Sequence, residues 1–285
     1  MSTVDQVTEP VAAHGEGPVF HPGWPGLRWV DMLAGDVLEL ADSGQVRRKH
    51  VGKVAAALRP TADGGAVLAL ERGFALADAS LEDVRPLGEL WSDPAIRMND
   101  GGCDPDGRFY CGTMSYAERP GAGALYRLDP GGEVTTVLSD VTISNGLAWS
   151  PAGESAYYID TPTHRVDVFD YSTEAGLHNR RPLLTIPEQD GSPDGMTVDA
   201  EGRLWVALWG GSAVRCYRPD GVLEEHVELP VSQVTACTFG GRQLDELYIT
   251  TSRQGVSEGE QPEAGALFRY RPGVRGRAAA VYGVQ

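Results

Sequence analysis

One phrase recurs six times along the 285 residues: a turn built from Pro, Gly, Asp or Ser, followed by a short apolar and aromatic run. It reads HPGWPGLRWVDM from His21, TADGGAVLALE from Thr61 and DPDGRFYCGTM from Asp104. It returns as SPAGESAYYIDT from Ser150, DAEGRLWVALWG from Asp199 and FGGRQLDELYITT from Phe239. The spacing is about 40 to 50 residues, the period of a four-stranded propeller blade. Six such phrases fill the chain, which predicts an all-β fold, a six-bladed β-propeller spanning 1–285 as a single domain.

The intervening segments agree. ALYRLDPGGEVTTVL, from Ala124 to Leu138, is two alternating runs about a Pro-Gly-Gly turn, the pattern of a hairpin. SLEDVRPLGELW, from Ser80 to Trp91, has weak helical spacing, and Pro86 breaks it. A propeller must join its last blade to its first, or two sheet edges stay open. AAAVYGV near the C-terminus and VAAHGEGPVF near the N-terminus are the segments expected to share the closing blade. Blades fan around a channel, so residues distant in sequence converge there on one small site.

Composition narrows the function. The 36 glycines and 19 prolines are spread along the chain, as many short elements joined by tight turns require. A formal net charge of −16 repels nucleic acid and anionic lipid, so neither is expected as a partner. The first residues carry no basic and apolar signal-peptide regions, and no apolar run approaches the roughly 18 residues of a membrane helix. Cys103, Cys111, Cys216 and Cys237 form no CxxC pair, which predicts free thiols and a cytoplasmic protein. No residue type beside Cys103 activates it as a nucleophile. The six histidines show no HxH or HExxH spacing, against a histidine-ligated zinc, and their default role is structural or at the surface. There is no GxSxG elbow and no Walker-type GKS or GKT.

Four phrases set polar side chains beside glycine or proline where strand logic wants none. They are GEGPVF with Glu16, RMNDGG with Arg97, Asn99 and Asp100, SNGLAW with Asn145, and SPDGM with Asp194. Glu16, Asn145 and Asp194 offer oxygen alone, the donor set preferred by hard divalent cations such as Ca²⁺, Mg²⁺ or Mn²⁺. Three protein ligands leave positions open for water and substrate. The rival reading is local: Asn-Gly and Pro-Asp-Gly are ordinary turn sequences.

At these residues the chain resembles the SMP-30/gluconolactonase/LRE family. The resemblance runs from GEGPVF almost to the C-terminus, through RMNDGGCDPDGRFYCGTM, ISNGLAWSPAGESAYYIDT, FDY with NRRPL, PDGMTVDAEGRLWVA and QPEAGALFRY. It implies a six-bladed propeller holding one divalent cation (Ca²⁺, Zn²⁺, Mn²⁺ or Mg²⁺) through Glu16, Asn145 and Asp194. It also implies Asp194 as general base and Arg97 and Asn99 as substrate contacts, Asn99 lying near the metal as well. Regucalcin-like members carry a longer lid between the GTM and GALY phrases. Here that stretch is only SYAERPGA, residues 115–122, with Glu118 near the family's lid glutamate but not in register with it.

The activity so implied is metal-dependent hydrolysis of a small sugar-acid lactone. The attacking water would be activated by Asp194 or by the cation, and the sequence does not separate these. Three alternatives stand beside it: phosphotriester hydrolysis on the same site, a calcium-binding regulator without turnover, and a docking scaffold. Arg97 and Asn99 weigh against mere ion storage, which needs no substrate clamp.

Overall fold

The computed structural model describes residues 4–41 and 43–283. They form six four-stranded antiparallel sheets arranged as the blades of a propeller. Each repeated phrase supplies the second strand of a blade and the turn that leads into it. These second strands are Gly26–Asp31, Ala66–Leu70, Phe109–Ser115, Ser155–Asp160, Leu204–Trp209 and Glu246–Thr251, in blades I to VI. They read as apolar runs because both faces are covered by neighbouring blades. Trp29, Tyr110, Tyr158 and Trp205, all on these strands, are among the largest fully buried side chains. The core therefore lies between blades.

The innermost strands line the axis: Gly15–Val19, Ala55–Pro60, Ile96–Cys103, Ser144–Trp149, Ser192–Val198 and Val234–Gly240. All six lose register with their second strand at one point, between Glu16 and Val19, Ala55 and Ala57, Met98 and Gly101, Asn145 and Leu147, Pro193 and Met196, and Val234 and Ala236. Such bulges bend a strand and re-aim its side chains.

The expected hairpin is present as Gly123–Leu128 and Val134–Val141. The segment interrupted by Pro86 forms no helix and contains the short outer strand Val84–Pro86. Helical structure among the described residues is confined to three 3₁₀ turns, Met32–Ala34, Thr161–Thr163 and Glu188–Asp190. None is long and apolar enough to cross a membrane. The four cysteines are buried and unpaired, and burial pushes the Cys103 thiol up, away from a nucleophilic thiolate.

Closure differs from the expected pairing. The outer strand of blade VI is Asp5–Gln6, upstream of VAAHGEGPVF, and it pairs with Phe268–Tyr270. VAAHGEGPVF instead runs into the innermost strand of blade I. Of AAAVYGV, the described residues 278–283 form no blade strand; Tyr282 makes an isolated parallel bridge to Thr61, directly after the innermost strand of blade II. The run belongs to a strap that crosses the rear of the ring, opposite the site described below. Gly276 N–H donates to Leu244 in blade VI (2.7 Å), and Arg275 C=O accepts from Ala200 beside blade V (2.9 Å). Arg277 reaches Ser150 (3.2 Å), Gly283 reaches Gly107 (2.9 Å), and Tyr282 reaches Pro60 (2.8 Å). The run is apolar because it covers the rear end of the channel, where Arg277 to Ala280 line a cavity of about 170 Å³ with the innermost strands.

The rear turns are held by buried aspartates. Asp104 accepts from the backbone N–H of Asp106 (3.0 Å) and Arg108 (2.9 Å) and from Arg108 Nε (2.6 Å). Asp199 does the same with Glu201 N–H, Arg203 N–H and Arg203 Nε, and adds Trp205 Nε1 at 3.0 Å.

Candidate active site

The polar phrases lie not in turns but inside innermost strands, at the bulges. Glu16 is on blade I, Asn99 and Asp100 on blade III, Asn145 on blade IV and Asp194 on blade V. This corrects the turn reading and explains the glycines. Gly17 sits at φ +50°, a backbone that favours glycine. A Cβ on Gly146 would stand 2.8 Å from the Asp194 carbonyl oxygen, so adjacent strands could not approach at the axis.

A front cavity of about 360 Å³ gathers Glu16, Arg97, Asn99, Glu118, Asn145 and Asp194. The structure thus places all six site residues expected from sequence along one wall system. Five are nearly fully buried, while Glu118 stands exposed on the short 115–122 segment at φ +51°. His14, Thr161, His164, Trp209 and Gln254 also line the cavity and were not among the expected residues.

Hydrogen-bond logic sets the amide orientations. Thr161 Oγ1 donates to the Pro193 carbonyl (2.8 Å), so it must accept from Asn145 Nδ2 (2.8 Å). Asn145 Oδ1 is thereby left as the acceptor, with Asn99 Nδ2 at 3.1 Å. Asn99 Nδ2 also donates to the Ser144 carbonyl (2.8 Å), which turns Asn99 Oδ1 toward Arg97 Nη1 (2.6 Å). Arg97 Nη1 further reaches the Met98 carbonyl (3.0 Å), and its guanidinium stands 5.7 Å from the Tyr116 ring centroid. Tyr116 is in turn tethered to Glu71 (2.7 Å).

The carboxylates are poorly satisfied. Glu16 Oε2 accepts from the following N–H, Gly17, at 3.1 Å, and Asp194 Oδ1 has no hydrogen-bond partner among the described residues. Burial first, then the Asp100 charge, pushes Glu16 up to about 8. Burial, then Glu16 and Asp100, raises Asp194 well above the usual carboxylate range. Arg97 counters both only in part. Two buried acids, an orphaned oxygen and an amide oxygen turned toward the cavity suit a divalent cation held by oxygen ligands. Among the described residues no group of three or more His, Cys, Asp or Glu could hold a metal ion. The candidate set includes an amide and has only two acids.

Known proteins share this architecture. The family described as SMP-30/Gluconolactonase/LRE-like region matches residues 14–253. Regucalcin of Danio rerio is 36% identical over 263 residues, covering 90% of this chain and 89% of its own. A Bacillus subtilis (strain 168) protein provisionally named sugar lactone lactonase YvrE is 36% identical over 266 residues, covering 90% of each. The solved structure of a calcium-binding protein, regucalcin, from Agrobacterium tumefaciens strain C58 superposes with a TM-score of 0.93. It is 29% identical and covers 99% of this chain and 97% of its own.

Proposed function

The chain belongs to the SMP-30/gluconolactonase/LRE-like family, and from that premise we propose that it hydrolyses a small sugar-acid lactone with one divalent cation held by Glu16, Asn145 and Asp194. The observation that carries this reading is the unpartnered Asp194 Oδ1, buried beside Glu16 in the front cavity. When bound, the cation would supply Lewis-acid polarisation of the lactone carbonyl.

The chain's own groups account for the rest. Asp194 would take a proton from the attacking water through a carboxylate oxygen that the cation leaves free. As the new C–O bond forms and the ring C–O bond breaks, the leaving ring oxygen gains a proton, so the addition of water balances. Arg97 has Nη1 committed to the protein, and Nη2, which has no partner among the described residues, is available to a substrate oxygen. Asn99 braces that arginine and Asn145 together. Glu118, exposed at the cavity rim, is placed to meet polar groups of the substrate.

A structural relative named for calcium binding favours a second reading, cation binding without turnover. A lactone panel run on metal-stripped protein reloaded with Ca²⁺, Mg²⁺, Mn²⁺ or Zn²⁺ separates the two. Ring opening that depends on the added cation supports the hydrolase. Tight cation binding with no lactone opened, under any cation, overturns it.

A further inference from the structure

His14 lies two residues before Glu16, on the same side of the chain as it enters the axis. Its position is held at every point but one. Its backbone N–H donates to Asp31 Oδ1 (3.0 Å), and its carbonyl accepts from Met32 N–H (2.9 Å). Ring Nδ1 is 2.8 Å from Ser252 Oγ. That hydroxyl is itself fixed by Gln254 N–H (2.9 Å) and the Ala13 carbonyl (3.3 Å). The ring stands edge-on to Trp209, centroids 5.8 Å apart at 77°. Nε2 has no hydrogen-bond partner among the described residues, and the ring lines the front cavity.

A purely structural histidine would have both nitrogens engaged or turned to an apolar wall. This one is locked by Ser252 from the opposite end of the chain and keeps one polar atom for whatever fills the cavity. It belongs to the wall formed by Trp209 and Gln254, not to the blade III strand that carries Arg97 and Asn99.

Building on the lactonase reading, we propose that His14, positioned by Ser252, is a specificity-determining residue that hydrogen-bonds a substrate hydroxyl through Nε2. The substrate is then a lactone with a hydroxyl within reach of Nε2, held by a residue next to the blade I strand as well as by Arg97 on the blade III strand. Trp209 supplies the apolar edge against which the ring carbons lie.

The test compares two six-membered lactones, D-glucono-1,5-lactone and δ-valerolactone, which differ in their hydroxyls. His14→Asn places an amide where Nδ1 was, keeping the Ser252 bond and removing Nε2. His14→Gln reaches the Nε2 position instead. The expected result is a roughly tenfold fall in the preference for the hydroxylated lactone in His14→Asn, carried by KM with little change in kcat. His14→Gln should restore part of it. Equal preference in wild type and His14→Asn, with both folded by circular dichroism, overturns the proposal. A wild-type protein that opens neither lactone under any cation removes the lactonase reading instead, and the two failures are distinct.

Discussion

The innermost strand of blade V carries buried Asp194, buried Asp199 follows directly after its last residue, and the two have opposite surroundings. Asp199, at the rear turn, receives four hydrogen bonds, one from the Arg203 guanidinium. Asp194, five residues earlier at the axis, leaves Oδ1 unpartnered and faces the acids Glu16 and Asp100. Blade III repeats the contrast. Asp104 is bound by Arg108, while the Asp100 carboxylate accepts from the next N–H, Gly101, at 2.7 Å. Burying a carboxylate is costly unless it is paired. At the rear the pairing is built into the chain. At the axis the Arg97 charge offsets the Asp194 carboxylate only in part.

Exchanging a single oxygen for nitrogen probes the contrast most severely. Asp194→Asn should lower lactone turnover on the order of 10³-fold. The metal-free variant should melt no lower than wild type, because one member of a mutually repelling acid set has gone. A fully active, cation-loaded Asp194→Asn protein breaks the assignment.

Next is the pH dependence of the metal-free protein. Glu16 is raised from 4.5 when unfolded to about 8 when folded. Between those values the unfolded chain has released a proton that the folded chain retains, so stability falls as pH rises through this window. Thermal melts should therefore drop from pH 5 to pH 8 in metal-free protein. Added divalent cation should flatten that slope, and Glu16→Gln should reduce it.

Asp199→Ala should act in the opposite sense. It leaves Arg203 and Trp205 Nε1 without their shared acceptor, at a cost of about 2 to 3 kcal/mol in urea unfolding. Activity per folded molecule should stay near wild type. Equal stability loss in Asp194→Asn and Asp199→Ala would erase the distinction between the two ends.

The smallest effect tests the orienting chain. Thr161→Val removes the acceptor for Asn145 Nδ2 and lets the amide flip. Cation affinity, read by calorimetry, should weaken roughly tenfold, or about 1.4 kcal/mol, with the fold unchanged.

The ring was legible because every second strand is largely buried, which leaves a mostly apolar and aromatic run after a turn. The residues now seen around the front cavity were legible only as a group. SNG and PDG read locally as turns, and GEG fits a turn poorly, because a bulge is defined by register against a partner strand and not by composition. Asp5–Gln6 gave no signal at all, being two exposed residues with no periodicity. His14 was hidden for a different reason: its significance comes from Ser252, 238 residues away.

The closing arrangement has a consequence for the order in which the molecule is assembled. Asp5–Gln6 precedes every other strand of the six blades in the chain, yet its partner strand is Phe268–Tyr270. The strap that ties blades VI to II across the rear comes later still, at 275–283. Asp5–Gln6 therefore waits until the other strands of the six blades have been made before it can pair. Blades can form in succession as the polypeptide emerges, but the circle locks in one late event. An early stop that removes only the strap would leave six blades without their final tie.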